Sequence, residues 1–203
     1  AAPDTPSNDT PTPQDAPEDA TQADEEPPSE EDAFSVDHDP ARTRPTKSGD
    51  QPSGYVIVCP INGMIDDGIA VVVERAIRDN PAPDAIIFVI DTPGGRVDSC
   101  LNIVEAILDA PYHTIAFVEG MDAISAGAII SFACNDIVMS PTANMGDAAP
   151  VVPTSEGMMP LGEKEVSFLR AKVKSLAEHN DHNPAIARAM VDKDIELWAR
   201  RIN

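Results

Sequence analysis

The chain has 203 residues, 35 of them acidic and 14 basic, for a formal net charge of −21. No basic stripe is present to displace counterions from a phosphate backbone, which argues against a nucleic-acid partner. No apolar run approaches the roughly 18 residues of a membrane span; the longest, Ile124 to Cys134, is short and made mostly of small residues.

The acidity is uneven. Residues 1–54 hold 14 Asp and Glu against 3 Lys and Arg, together with 10 of the 20 prolines and almost no large apolar side chains. Such a segment cannot bury enough surface to offset its ordering entropy, so it reads as a disordered, acidic, Pro-rich leader or linker. A solvating, extending role fits the charge run better than a specific binding arm. The composition shifts near Gly54, leaving about 150 residues, 55–203, for one domain. The opening "AAPD" lacks Met, as in an exported protein cut at a small-residue site, although an excised piece would look the same. Cys59, Cys100 and Cys134 are odd in number, widely spaced and set in or beside apolar segments. They read as buried small hydrophobes, with neither a disulfide framework nor a zinc spacing.

The elements then follow in order. "YVIVCPI" (residues 55–61) is a β-rich apolar run turned by "NG". From Asp67 the apolar positions Ile69, Val72, Val73, Ala76 and Ile77 recur at helical spacing. "DAIIFVI" (84–90) is a continuous apolar run between turn signals, as expected of a strand buried on both faces. After "TPGG", a second helix begins near Asp98 or Ser99, with Leu101, Val104, Ile107 and Leu108 inward. "HTIAFV" (113–118) is a third strand, a helix begins near Ser125, and "DIVMS" (136–140) is a fourth strand. This alternation predicts an α/β domain with a largely parallel sheet and flanking helices. Residues 141–163 are rich in Pro, Gly and Met and show no period; a stretch of that kind is a lid, a binding loop or disordered. "KEVSFLRAKVKSLAEH" then reads as a helix with Val166, Leu169, Val173 and Leu176 on one face, and "NPAIARAMVD" as another. The chain stops at "ELWARRIN" without an evident closing element, so a fragment of a longer protein is expected.

Two breaks, "DTPGG" (91–95) and "DAISAG" (122–127), both follow strands and so belong on the carboxyl edge of the sheet, where such folds bind ligands. Gly94 and Gly95 lack side chains and so allow close approach and free N–H donors. Ser125 stands at a helix N-terminus, where orphan N–H groups favour developing negative charge. The N–H of Gly95 with that of Ala126 would make an oxyanion hole serving one carbonyl. On the residues alone, a helix-starting serine is most often an N-cap and a Gly-Gly turn only a turn. "AISAG" also misses the nucleophile elbow G-x-S-x-G, and "GGR" fits neither a dinucleotide nor a Walker fingerprint.

The ordered set "VIVCPINGMID", "IDTPGGRVDS", "DAISAGAIIS", "IVMSPTANMGDAAPV" and "EKEVSFLRAKVKSLAEHN" resembles the NfeD-type membrane-associated serine peptidases over roughly Tyr55 to Asp194. These are relatives of signal peptide peptidase A and the Clp protease. The resemblance implies a ClpP/crotonase-like fold and a serine endopeptidase with a Ser-Lys dyad. In that family a serine of the "SAG" segment attacks the peptide carbonyl and a lysine after the mobile loop takes its proton. These map onto Ser125 and Lys164. Gly95 and Ala126 would supply the oxyanion N–H groups, and Gly94, Gly95 and Val97 would bind substrate. Periodicity alone does not select Lys164 over Lys172 or Lys174, because it lies opposite the apolar stripe, beside Phe168. A lysine acts as base only when neutral, which a helix N-terminus and closure of an apolar loop both favour. No metal or organic cofactor is implied. The implied partners are a peptide or membrane-protein substrate with apolar segments, among them stomatin- or prohibitin-like proteins, and further copies of the chain in a homo-oligomer. The implied location is extracytoplasmic, periplasmic or cell-envelope, with membrane association through parts absent from this chain.

Three alternatives stay open. A Ser-His-Asp triad fits less well, since His113 precedes the serine on a strand while His179 and His182 fall at a helix end and turn. A crotonase-type acyl-CoA enzyme would use a similar two-amide hole but needs acidic catalysts and a phosphate site. A catalytically inactive interaction module, binding a stomatin- or prohibitin-like membrane protein, needs no serine hydroxyl at all.

Overall fold

A computed structural model describes residues 54–80, 82–155 and 157–198. The expectation for the acidic leader, Gly54 apart, lies outside the described residues. Those that are described belong to one unit, Arg44–Asn203.

The chain alternates β1 (Val56–Asn62), α1 (Asp67–Arg78), β2 (Ala85–Thr92), α2 (Val97–Leu108), β3 (His113–Ile124), α3 (Ala126–Ala133) and β4 (Asp136–Met139). Short pieces follow: β5 (Asn144–Gly146), β6 (Val151–Thr154) and β7 (Gly157–Pro160), then α4 (Glu163–His179) and α5 (Pro184–Ala189). Four strands pair in parallel in the order β1-β2-β3-β4, and β5 adds to the end of β3. Local chemistry starts two of the helices. The Asp66 carboxylate accepts from the Ile69 N–H at 3.0 Å to cap α1, and Asn183 accepts from the Ala185 N–H at 2.8 Å to cap α5, with Pro184 in its first turn.

Burial along β2 alternates. Ile86, Phe88 and Ile90 are fully buried and Ile87 and Val89 only half-buried, which corrects the expectation of a strand buried on both faces. Parallel register places Cys59, Phe88 and Ala116 on the covered side. On the other side Val56, Val58 and Val138 are exposed. The inward stripes of the first two helices are also rotated from those expected. α1 buries Ala70 and Val73 while Val72 is exposed, and α2 buries Cys100, Ile103, Val104 and Ile107 while Leu101 and Leu108 are half-buried. The short "AGAIISFA" helix α3 is buried in every residue. It packs against α2, α4 and the strands β2 and β3, and the close approach on several sides fits its mostly small side chains.

Residues 141–163, expected to lack a period, contain β5 and the antiparallel hairpin β6–β7. The hairpin base is closed by the Leu161 N–H donating to the Pro150 carbonyl at 2.9 Å. Val151, Val152, Met158 and Met159 on it are all exposed. Among the described residues, no helix is long and apolar enough to cross a membrane.

Candidate active site

Because β2 and β3 are adjacent and parallel, the turns that leave their carboxyl ends are neighbours in space although about thirty residues apart in sequence. The junction is irregular. Ile90 pairs with Val118, but Thr92 pairs with Ala123, so β3 carries extra residues opposite Asp91. That bulge brings the end of β3 level with the glycine turn.

Gly94 and Gly95 lie alongside the turn that follows β1, joined through an isolated parallel bridge between Ile65 and Gly95. The Ile65 N–H donates to the Gly94 carbonyl at 2.8 Å, and the Arg96 N–H donates to the Ile65 carbonyl at 2.9 Å. In a parallel bridge the residue whose neighbours are bonded turns its own N–H and C=O the other way. Gly95 therefore presents both groups on the side away from Ile65, and neither has a partner among the described residues. A side chain there is sterically excluded, since a Cβ on Gly95 would stand 2.1 Å from the Ile65 carbonyl oxygen. Gly94 faces the serine: a Cβ on it would lie 2.7 Å from the Ser125 Cβ and 3.1 Å from its Oγ. Both glycines are thus required by close approach, and Gly94 also by its φ of 104°.

Ser125 holds φ 54° and ψ −112°, a conformation L-residues rarely adopt. Its N–H donates to the Gly146 carbonyl at 2.8 Å, so β5 pins it in place. The ordinary expectation for a serine starting a helix does not hold, because the hydroxyl makes no capping hydrogen bond to α3. Among the described residues the hydroxyl has no hydrogen-bond partner; it is half-buried beside Gly94, and the Ala126 N–H just after it, the first donor of the helix, is likewise unpaired among them. Cys100, buried on α2, sets its Sγ 3.7 Å from the Ala126 carbonyl, behind the serine turn. Gly94, Gly95, Ser125 and Ala126 are thereby brought together at one sheet edge. Val97, the first residue of α2 and 45% exposed, follows two residues after Gly95.

Lys164 occupies the first turn of α4 and is exposed, with no hydrogen bond or ion pair to another described residue. Its flanking Glu163 is taken by Arg170, which also pairs with the nearly buried Asp192. Ser125 and Lys164 share no hydrogen bond. The three described histidines stand elsewhere. His113 begins β3, the end opposite Ser125, and contacts Asp136 at 2.5 Å. His182 contacts the Cys134 carbonyl at 2.8 Å, beyond the far end of α3, and His179 is exposed at the end of α4. Among the described residues no group of three or more His, Cys, Asp or Glu could hold a metal ion. Thr92, which holds the glycine turn, and Gly146, which holds the serine turn, are not among the expected site residues. The hydroxyl directly before "PGG" was the available signal for Thr92, whereas nothing local marks Gly146.

The family profile described as NfeD1b, N-terminal domain, matches residues 55–201. The membrane-bound protease PH1510 of Pyrococcus horikoshii is 32% identical over 148 residues, which is 70% of this chain and 34% of that protein. The membrane protein NfeD1b of Bacillus subtilis is 32% identical over 143 residues, 70% of this chain and 32% of that protein. The chain therefore spans about a third of the length of these relatives. Two solved structures of a membrane-bound stomatin-specific protease, 1510-N, match with a TM-score of 0.64. One, a serine-to-alanine variant, is 30% identical, the match covering 69% of this chain and 70% of that one. The other, a lysine-to-alanine variant in complex with a substrate peptide, is 31% identical over 69% of this chain and 67% of that one. The fold is accordingly the ClpP-like α/β fold.

Proposed function

The chain belongs to the family of NfeD1b N-terminal domains, and from that premise we propose that it is a serine endopeptidase using Ser125 and Lys164. The observation that carries the reading is the strained backbone of Ser125, which keeps its hydroxyl out of the capping position and against Gly94. Strain of this kind costs about 1–3 kcal/mol and persists only where the surroundings over-determine it. A residue that only capped a helix would have no use for it.

In the proposed reaction an extended apolar peptide lies along the outward N–H and C=O of Gly95, with Gly94 and Val97 beneath it. The Ser125 Oγ attacks the peptide carbonyl while the neutral Lys164 Nζ takes its proton. The oxyanion is held by the N–H groups of Gly95 and Ala126. Collapse returns the proton to the leaving amine and leaves an ester on Ser125; water, deprotonated by Lys164, then hydrolyses it. Lys164 has to come within reach of Ser125 for this, and its freedom from other described partners leaves the side chain available. The relative's specificity for stomatin motivates a substrate drawn from apolar segments of stomatin-like membrane proteins. An extracytoplasmic setting, membrane attachment through other parts of the protein, and self-association complete the reading.

The test is cleavage of a panel of apolar membrane-protein peptides by the wild type, Ser125→Ala and Lys164→Ala across pH. Loss of cleavage in both variants, with a wild-type rate that rises as a base loses its proton, supports the dyad. Cleavage that survives Ser125→Ala sinks it. The exposed apolar hairpin β6–β7 favours a second reading, a non-catalytic module that binds a membrane partner. Binding without turnover, unchanged in Ser125→Ala, would select that reading instead.

A further inference from the structure

Thr92 is 1% exposed, ends β2 at the start of the glycine turn and is not among the expected site residues. Its hydroxyl has one hydrogen to give. The Gly63 carbonyl lies 2.5 Å away, whereas the Gly94 carbonyl is at 3.4 Å and already accepts from Ile65. The hydrogen therefore goes to Gly63, and the same oxygen accepts the Gly94 N–H at 3.0 Å. That second bond removes Gly94 as a donor and leaves Gly95 as the N–H the turn presents. The rest of the side chain faces the other turn: a Cβ on Gly127, the residue after Ala126, would stand 2.6 Å from the Thr92 Cγ2. One side chain thus ties the turn after β1 to the glycine turn and sets how closely α3 can approach it.

We propose that Thr92 is the positioning residue of the two-amide site: its hydroxyl decides that Gly95 rather than Gly94 is the donor, and its methyl sets the spacing between the Gly95 and Ala126 N–H groups. The functional part rests on the serine-peptidase reading above; the geometric part does not.

Thr92→Val keeps the shape and removes the hydroxyl, leaving the Gly94 N–H and the Gly63 carbonyl without partners. With the full chain folded, as checked by its melting curve, kcat on an apolar peptide is expected to fall about 100-fold, the order lost with one oxyanion donor, while KM changes less than about threefold. Thr92→Ser keeps the hydroxyl and should restore kcat to within about fivefold of the wild type. Gly127→Ala, which collides with the Thr92 methyl, should lower kcat and melting temperature together, and adding Thr92→Ser should recover both. Amide hydrogen exchange gives a readout independent of activity. Gly94 should be protected and Gly95 fast in the wild type, and Thr92→Val should make Gly94 fast as well.

A folded Thr92→Val with kcat within threefold of the wild type would overturn the proposal. So would Gly94 protection that survives the substitution, or a Gly127→Ala defect that Thr92→Ser does not relieve. If cleavage survives Ser125→Ala, the serine reading fails, and the exchange and rescue results then decide the role of Thr92 separately.

Discussion

At the scale of single residues, the site depends on backbone positions that ordinary side chains would spoil. Ser125 is the clearest instance, an L-residue held at φ 54° by the Gly146 carbonyl on its N–H and by Gly94 against its side chain. Glycine accepts that backbone without strain, and the relief of about 1–3 kcal/mol exceeds the entropic cost of glycine, about 0.5–1 kcal/mol. Ser125→Gly is therefore expected to raise the melting temperature by roughly 2–4 °C while abolishing any cleavage. Calorimetry checks this directly, and a variant that melts below the wild type would show that the serine is not strained in solution.

At the scale of elements, the two helices that carry Ser125 and Lys164 at their starts are tied together at their far ends. Asn180 caps α4 and is buried. Its amide nitrogen donates to the carbonyls of Phe132 and Ala133, both at 3.0 Å, which close α3. Its amide oxygen accepts from Asn135 at 3.2 Å, and the Asn135 oxygen accepts from the Thr114 N–H at 2.9 Å on β3. One buried amide thus joins α3, α4 and the central strand, and removing it strands several buried polar groups. Asn180→Ala is expected to cost about 2–3 kcal/mol, a loss of roughly 6 °C in melting temperature. A thermal shift under 2 °C would mean that water replaces the amide. The hairpin β6–β7 is the opposite case, since a two-stranded ribbon with its large side chains exposed has little to hold it beyond its own pairing.

Across the whole molecule, the three thiols report on the core. All are free and buried. Burial disfavours the thiolate and pushes Cys100 from an ordinary 9.0 up to about 12, and raises Cys59 and Cys134 also. The folded protein thus keeps protons that the unfolded chain loses above about pH 8.5. The resulting stability is fully present below that pH and is lost as pH rises toward 12. Guanidinium midpoints should hold level from pH 7 to 8 and decline by pH 10.5, with a smaller decline in Cys100→Ala. An aromatic disulfide reagent should leave the native thiols untouched at pH 8. Rapid reaction of the native protein, or an equal alkaline decline in Cys100→Ala, would contradict this account of the core.

Much of this architecture is legible in the chain itself. Strand and helix alternate with clear period and turn signals, so the parallel α/β order and the two strand-end turns follow from local chemistry: β-branched runs, Asp66 and Asn183 as caps, and glycine where no Cβ fits. The inward stripes of α1 and α2 were less legible, because Val72 and Leu101 are as apolar as their buried neighbours and only packing against adjacent elements decides which way a helix turns. The β6–β7 pairing inside residues 141–163 was hidden for the same reason, since its exposed strands carry no in-out alternation. Ser125 marks the limit. The chain shows a serine before a helix, for which a cap is the ordinary outcome. The bulge in β3, the Gly146 carbonyl and the contact with Gly94 come from segments distant in sequence, and they alone set its backbone and free its hydroxyl. Local residues determine which turns exist; which donors those turns present depends on long-range contacts that sequence spacing does not encode.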